Sequence, residues 1–223
     1  MLISLLNACG YCFAAVGSFS IVVEAYATSL AATSQVPKVA SPAEIRVARK
    51  SLAKVLVNQP DLLEEPIASV TYKKTVYWSQ PGGVLLFATY VKYRGVNNRY
   101  CRLVTVSKAS NVAQLVPVSA QVNIDDCRGY SKVIYVDING DGILDVIEGV
   151  WSKSNRYPVQ VVTSIVYLST DSHPSGYCYS DVASRQLHPA DLIDAESAMK
   201  ALAAAMRRRS LVAYACTPAE EAI

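Results

Sequence analysis

Oxygen-bearing side chains recur at fixed spacing in one twelve-residue stretch, residues 137–148. They stand at positions one, three, five, nine and twelve of the stretch: Asp137, Asn139, Asp141, Asp145 and Glu148. Ca²⁺ takes about six to eight oxygen ligands, and a twelve-residue loop supplies them from these positions and from the backbone carbonyl of its seventh residue, here Ile143. Gly142, at the sixth position, permits the sharp turn that such a loop needs. The spacing therefore predicts a calcium site.

A turn without a metal is the alternative interpretation of the same residues. The pairs Asn139-Gly140 and Asp141-Gly142 are strong hairpin signals, and a hairpin turn needs no ion. However, three acids and an amide that converge on one point repel one another unless a cation neutralises them. Calcium is the interpretation that the clustering of acids favours.

The segments on both sides of the loop decide which kind of calcium loop is predicted. Lys132–Val136 before it and Val146–Trp151 after it are rich in β-branched and aromatic residues, which favours strands over the helices of an EF-hand. The run Tyr135–Gly149 resembles the FG-GAP/VCBS repeat of extracellular and surface proteins, whose nine-residue calcium loop also lies between strands. The chain holds one clear copy, of about fifteen residues, so a propeller of several blades is not expected.

The resemblance also implies a set of metal ligands. In the FG-GAP/VCBS repeat the first, third, fifth and ninth loop residues bind the ion. Carried over to this sequence, these ligands are Asp137, Asn139, Asp141 and Asp145. The two calcium patterns therefore differ at Glu148, which is a ligand in the twelve-residue pattern alone.

The first 27 residues are typical of an export signal. They contain no Lys or Arg, a single acid at Glu24, an apolar stretch from Leu2 to Val23, and the sequence Ala25-Tyr26-Ala27, which matches an A-x-A cleavage site. The absence of a positive segment before the apolar stretch leaves open an uncleaved anchor, the one route by which we expect membrane contact. Residues 28–40 are polar and contain proline, which predicts a flexible linker.

The cysteines support export. Removal of residues 1–27 leaves four: Cys101, Cys127, Cys178 and Cys216. An even number suits two disulfides in an oxidising compartment, the periplasm or the exterior, and three pairings are possible. Cys101 and Cys127 lie in neighbouring predicted strands or their loops, and the other pair would tie the C-terminal tail to the sheet. Zinc is the rival, but no two of the four have C-x-x-C spacing.

Periodicity predicts an α+β fold for residues 41–223, taken as one domain. Ser41-Pro42-Ala43-Glu44 forms a capping box at the start of a helix of about 42–57, and a second helical region spans residues 189–209. Between them lie seven strand-like runs: 70–78, 84–93, 100–106, 114–123, 133–137, 145–151 and 161–168. Short turn-prone loops join these runs. We therefore expect an antiparallel meander of about seven strands, with both helices packed on one face.

Composition and motifs favour binding over catalysis. Net charge is +3, and Arg207-Arg208-Arg209 ends a predicted helix, where cations complement the helix dipole, so no nucleic-acid partner is expected. His173 and His188 are the two near-neutral proton carriers, and neither lies in a recognisable catalytic motif. The sequence thus predicts an exported, calcium-stabilised, non-catalytic protein that binds another protein.

Two other classes stay open. One is a periplasmic inhibitor or immunity protein that inserts a loop into its target, with Asp171–Gly176 or Asn155–Pro158 as the inserted segment. The other is a secreted hydrolase with an unfamiliar site. Co-purification with a partner would favour the first, and activity in a screen of ester, glycosidic and peptide substrates would favour the second.

Overall fold

The computed structural model describes residues 37–58, 67–73, 76–79, 83–118, 126–153, 160–209 and 213–217. The predicted export signal, most of the predicted linker and the segment 155–158 lie outside these residues. In chain order the elements are α1 (Pro42–Asn58), β1 (Ile67–Tyr72), β2 (Tyr77–Trp78), β3 (Val84–Tyr93), β4 (Arg99–Ser107), β5 (Ala113–Leu115), β6 (Asp126–Val136), β7 (Asp145–Lys153), β8 (Gln160–Ser169), β9 (Tyr177–Tyr179), α2 (Asp181–Ser184), a 3₁₀ helix (Pro189–Ile193) and α3 (Ala195–Arg209).

The strands form two antiparallel sheets. The first has the order β1-β3-β4-β5, with β2 also paired to β3, and the second has the order β6-β7-β8-β9. The prediction of one seven-strand meander therefore differs from the structure. The predicted run 70–78 is divided between β1 and β2, and within the described part of run 114–123 only residues 114–115 are strand.

The two sheets pack face to face, and each has a helix on its outer face. In β3, Leu85 and Phe87 lie in the core under α1, whereas Leu86 lies in the layer between the sheets. Such strands are buried on both faces, which explains their nearly continuous apolar sequence. The helix α3 covers the second sheet through Ala198 and Leu202. The helices thus cover different sheets, whereas the sequence predicted that they share one face.

The start of α1 is fixed by the predicted capping box. The Ser41 N–H donates to Glu44 Oε2 at 2.7 Å, and the Glu44 N–H donates to Ser41 Oγ at 3.3 Å. The preceding residues differ from the flexible linker predicted there, because the Ala40 N–H donates to the Val76 carbonyl and the Trp78 N–H donates to the Lys38 carbonyl. Backbone pairing with β2 therefore orders the end of the predicted linker.

Two disulfides connect parts of the chain that are distant in sequence. Cys101 of β4 pairs with Cys127 of β6 and so joins the two sheets, and Cys178 of β9 pairs with Cys216 of the tail. Of the three possible pairings, this is the one that the predicted strand positions favour. Disulfides form and persist in oxidising compartments, so these two bonds indicate an oxidising, non-cytoplasmic location for the protein. In the described parts of the chain, no helix combines the length and apolarity needed to cross a membrane.

Candidate functional site

The predicted calcium loop connects β6 to β7. The two strands pair antiparallel up to Val136 and Asp145, so the loop closes a β-hairpin, as the flanking residues predicted. Gly140 and Gly142 have φ values of 77° and 81°, in the left-handed region that favours glycine. The position of Gly142 at the sharp turn is therefore confirmed.

Asp137 organises the first half of the loop. Its Oδ1 accepts hydrogen bonds from the Gly140 N–H at 2.7 Å and the Asp141 N–H at 3.2 Å, and its Oδ2 accepts one from the Gly142 N–H at 2.8 Å. The side chain is buried. Three amide donors on one carboxylate satisfy backbone groups that a tight loop leaves without partners.

Asn139 and Asp141 form a polar contact with the end of β8. Asp141 Oδ1 accepts from the Ile143 N–H at 2.7 Å, and Asp141 Oδ2 accepts from Ser169 Oγ at 2.6 Å and from Asn139 Nδ2 at 3.0 Å. Asn139 Oδ1 in turn accepts from the Asp141 N–H at 3.1 Å. Sequence reasoning missed Ser169, because no signal within the loop indicates that the end of β8 lies beside it.

Asp145 ties the loop to the sheet. Its Oδ2 accepts from the N–H groups of Ile138 at 2.6 Å and Asn139 at 3.3 Å, and its Oδ1 accepts from the Ser169 N–H at 2.6 Å. Burial raises the pKa of this carboxyl to about 7, and the nearby charge of Asp141 acts in the same direction, while the amide hydrogen bonds oppose the rise. A buried acid in this position costs free energy unless its charge is compensated.

The donor chemistry of the loop fits a hard cation, although its oxygens are directed towards protein donors. The loop offers three carboxylates and one amide oxygen, from Asp137, Asp141, Asp145 and Asn139, and oxygen is the ligand that Ca²⁺ prefers. A carboxylate oxygen has more than one lone pair, so an amide contact leaves room for a metal. Within the described ranges, no group of three or more His, Cys, Asp or Glu side chains has a metal-binding arrangement.

Glu148 lies away from this hydrogen-bonded loop. It is the fourth residue of β7, fully buried, and its side chain faces the layer between the two sheets, on the same side as Val146 and Val150. Its Oε2 lies 3.5 Å from Tyr167 Oη, and its Oε1 has no hydrogen-bond partner. Burial raises its pKa to about 8, against the lowering effect of the Arg102 charge. The alternation of side chains along β7 therefore directs Glu148, the predicted twelfth ligand, towards the interior of the protein.

The two histidines lie in separate turns. His173 Nδ1 is 2.7 Å from Ser175 Oγ, which donates to the Tyr177 carbonyl at 2.8 Å, and partial burial lowers the pKa of His173. The His188 N–H donates to Asp191 Oδ2 at 2.8 Å, at the start of the 3₁₀ helix. The His173 side chain thus belongs to local turn structure, and the His188 backbone caps the start of the 3₁₀ helix.

Comparison of the chain with protein-family models, with curated proteins and with solved structures finds no match. The FG-GAP/VCBS resemblance of residues 135–149 therefore stays a prediction that rests on the loop sequence.

Proposed function

We propose that the protein is an exported, non-catalytic binding protein of the cell envelope or exterior, stabilised by calcium in the loop Asp137–Asp145. One observation carries the proposal: three carboxylates share this short loop, and two of them, Asp137 and Asp145, are buried. The ion pairs found among the described residues lie elsewhere, at Asp126–Arg128, Asp181–Arg185 and Glu196–Lys200. A divalent cation would supply the compensating charge.

The proposed ion is held by the oxygens of the loop. Asp137, Asn139 and Asp141 would contribute side-chain oxygens, Ile143 its carbonyl, and Asp145 a carboxylate either directly or through water. Bound calcium would supply positive charge and no chemistry of bond breaking. Because Asp141 and Asp145 also hydrogen-bond to Ser169 of β8, an ordered loop would hold three strands of the second sheet together.

Calcium titration followed by isothermal calorimetry tests the proposal. The oxidised chain is first freed of metal with a chelator. We expect binding at a single site, and the isosteric variant Asp141→Asn should bind about tenfold more weakly or worse, since it removes one ligand charge. Asp171→Asn is the matched control, because Asp171 is an exposed acid outside the loop.

Two outcomes of this titration would contradict the proposed calcium site. Absence of binding heat in the wild type would mean that the amide contacts of the loop acids are sufficient and that the segment is a metal-free turn. Equal affinity in the wild type and in Asp141→Asn would place any calcium at a different position.

An inhibitor or immunity-type role is the second candidate, and the turn Asp171–Gly176 favours it. The Gly176 N–H donates to the His173 carbonyl at 2.8 Å and the Thr170 N–H donates to the Gly176 carbonyl at 3.0 Å, so the turn is internally fixed while Asp171 is exposed. A preorganised turn inserts into a partner with little ordering cost. Co-purification from the exported fraction tests this role: Asp171→Arg should lose the partner, and Glu196→Arg, at an exposed position of α3, should retain it. Retention by both would contradict it.

A further inference from the structure

The two layers of the protein carry opposite formal charges. Residues 37–118, which contain α1 and the first sheet, have twelve basic and four acidic residues, a net charge of +8. Residues 119–223, which contain the second sheet and its helices, have nine basic and thirteen acidic residues, a net charge of −4. Such an asymmetry between two parts of a chain is typical of proteins that bind a charged surface. The first layer is therefore suited to an anionic partner.

The solvent side of α1 concentrates the positive charge of this layer. Arg46, Lys50 and Lys54 recur every four residues and so form one stripe along the helix. Arg49 lies beside the stripe, and all four side chains are exposed. Glu44 is the single acid of α1, and it is held in the capping box at the start of the helix. We call the four cations of α1 the basic face.

Local structure does not account for the basic face. Like charges four residues apart destabilise a helix, and none of the four cations lies in the last turn, where cations complement the helix dipole. The ion pairs of the described residues do not include them, in contrast to α3, where Lys200 Nζ lies 2.8 Å from Glu196 Oε1. Within the part of the chain that the structure describes, the basic face is therefore uncompensated.

Exposed valines accompany these cations. Val47, which lies between Arg46 and Arg49 in the sequence, is 53% exposed. Val39 is exposed just before α1, and the exposed Val112 follows Asn111, whose carbonyl accepts a hydrogen bond from Ser51 Oγ of α1. Cations mixed with exposed aliphatic side chains are typical of a surface that lies on a bilayer, where the apolar side chains enter the headgroup region and the cations contact lipid phosphates.

We propose that the basic face docks the protein on an anionic phospholipid bilayer, through contacts with the headgroup phosphates. A nucleic acid is the less suitable polyanion, because the disulfides indicate a non-cytoplasmic location and because single strands stack on aromatic side chains, whereas the exposed apolar side chains beside the basic face are valines. Each cation near an anionic bilayer strengthens binding about fivefold. No residue of the calcium loop takes part, so this inference and the proposed function stand or fall separately.

Co-sedimentation of the oxidised full-length chain with vesicles, in chelator, tests the proposal. The probes are vesicles of phosphatidylcholine alone and of phosphatidylcholine mixed with phosphatidylglycerol. We expect binding to the mixed vesicles that weakens as salt is added, and Lys50→Gln/Lys54→Gln should bind about twentyfold more weakly, since glutamine keeps the helix propensity and removes two cations. Lys132→Gln/Lys153→Gln is the matched control, because it removes the same charge from exposed positions of the second sheet, and it should bind almost as tightly as the wild type.

Lysine acetylation followed by mass spectrometry keeps the inference testable even if an uncleaved leader holds every variant on the vesicles. This measurement compares side chains within one chain. Mixed vesicles should slow the acetylation of Lys50 and Lys54 severalfold, because a docked face is shielded from the reagent, and should leave the rates of Lys132 and Lys153 unchanged.

Four outcomes would overturn the inference. Equal protection of the two lysine pairs, or equal affinity of the two double variants, would mean that α1 does not face the bilayer. Protection of Lys50 and Lys54 that is as strong on phosphatidylcholine alone, or on double-stranded DNA at equal phosphate concentration, would exclude recognition of anionic lipid.

Discussion

Replacement of the buried Glu148 by glutamine separates two roles for this residue, interior acid and calcium ligand. Glu148 is fully buried between the sheets, and its pKa rises from 4.5 to about 8 because burial penalises the charged form. This rise corresponds to about 5 kcal/mol at most between the folded and unfolded states. Because the folded pKa is the higher one, the folded state retains the proton longer as pH rises.

The sign of the pH dependence follows from that difference. Stability that Glu148 contributes is fully present below its ordinary pKa of 4.5 and is lost as pH rises through about 8. Glutamine keeps the shape of the side chain without titrating. We therefore expect wild type and Glu148→Gln to have similar free energies of unfolding near pH 5 and to separate as pH rises, with the variant more stable by up to about 5 kcal/mol above pH 8.

Urea unfolding in chelator across this pH range measures the effect, with the buried Trp78 as fluorescence probe. Glu196→Gln is the control, since Glu196 is exposed on α3. If the free energy of unfolding of Glu148→Gln still falls as pH rises to about 7, we assign this remaining pH dependence to Asp145, whose pKa is raised to about 7. Identical pH profiles for wild type and Glu148→Gln would refute the reasoning. Loss of calcium binding in Glu148→Gln would return Glu148 to the ligand set.

Three further perturbations test the packing that positions the loop. Cys178→Ala/Cys216→Ala should lose about 4 kcal/mol in urea unfolding, as expected for a crosslink with a sequence separation of 38, and a loss below about 1 kcal/mol would contradict this. Gly142→Ala should lose about 1 kcal/mol or more because its φ of 81° is strained for alanine, with Gly142→Asn as the milder control. Gly149→Ala would place a Cβ 2.5 Å from Ser131 Oγ and 2.8 Å from Leu192 Cδ1, and because both atoms end flexible side chains that can shift, we expect a loss of about 1 kcal/mol or less in thermal unfolding; a loss above about 3 kcal/mol would contradict this.

Local sequence signals predicted local structure well. The capping box at Ser41 and Glu44 appears as two reciprocal hydrogen bonds, because both partners are three residues apart in one turn. The hairpin around residues 137–145 follows from the asparagine–glycine and aspartate–glycine pairs, whose positive φ is a property of the glycines themselves. The sequence also favoured the disulfide pairing that is found, because Cys101 and Cys127 lie in neighbouring predicted strands or their loops and the remaining pair ties the C-terminal tail to the sheet.

Local sequence signals do not predict which strands and side chains lie together in the folded protein. The transition from β5 in the first sheet to β6 in the second leaves no mark in composition, since both sheets bury apolar residues on two faces. Local patterns likewise do not indicate that Glu148 faces the interior or that Arg102 is buried, because their environment depends on how the two sheets pack. Ser169 lies beside the loop acids because of the register in which β8 pairs with β7, and periodicity alone does not specify this register.

The melting temperature of the oxidised chain, with calcium and with chelator at pH 7, is the most direct test of the calcium-stabilised loop. Calcium at a hundredfold excess over its dissociation constant contributes about 2.7 kcal/mol, which for a chain of this size raises the melting temperature by about 5–10 °C. We expect this rise in wild type and in Asp171→Asn, its reversal by chelator, and a rise of about half this size or less in Asp141→Asn, whose affinity is at least tenfold weaker. An equal melting temperature in calcium and in chelator would contradict the account.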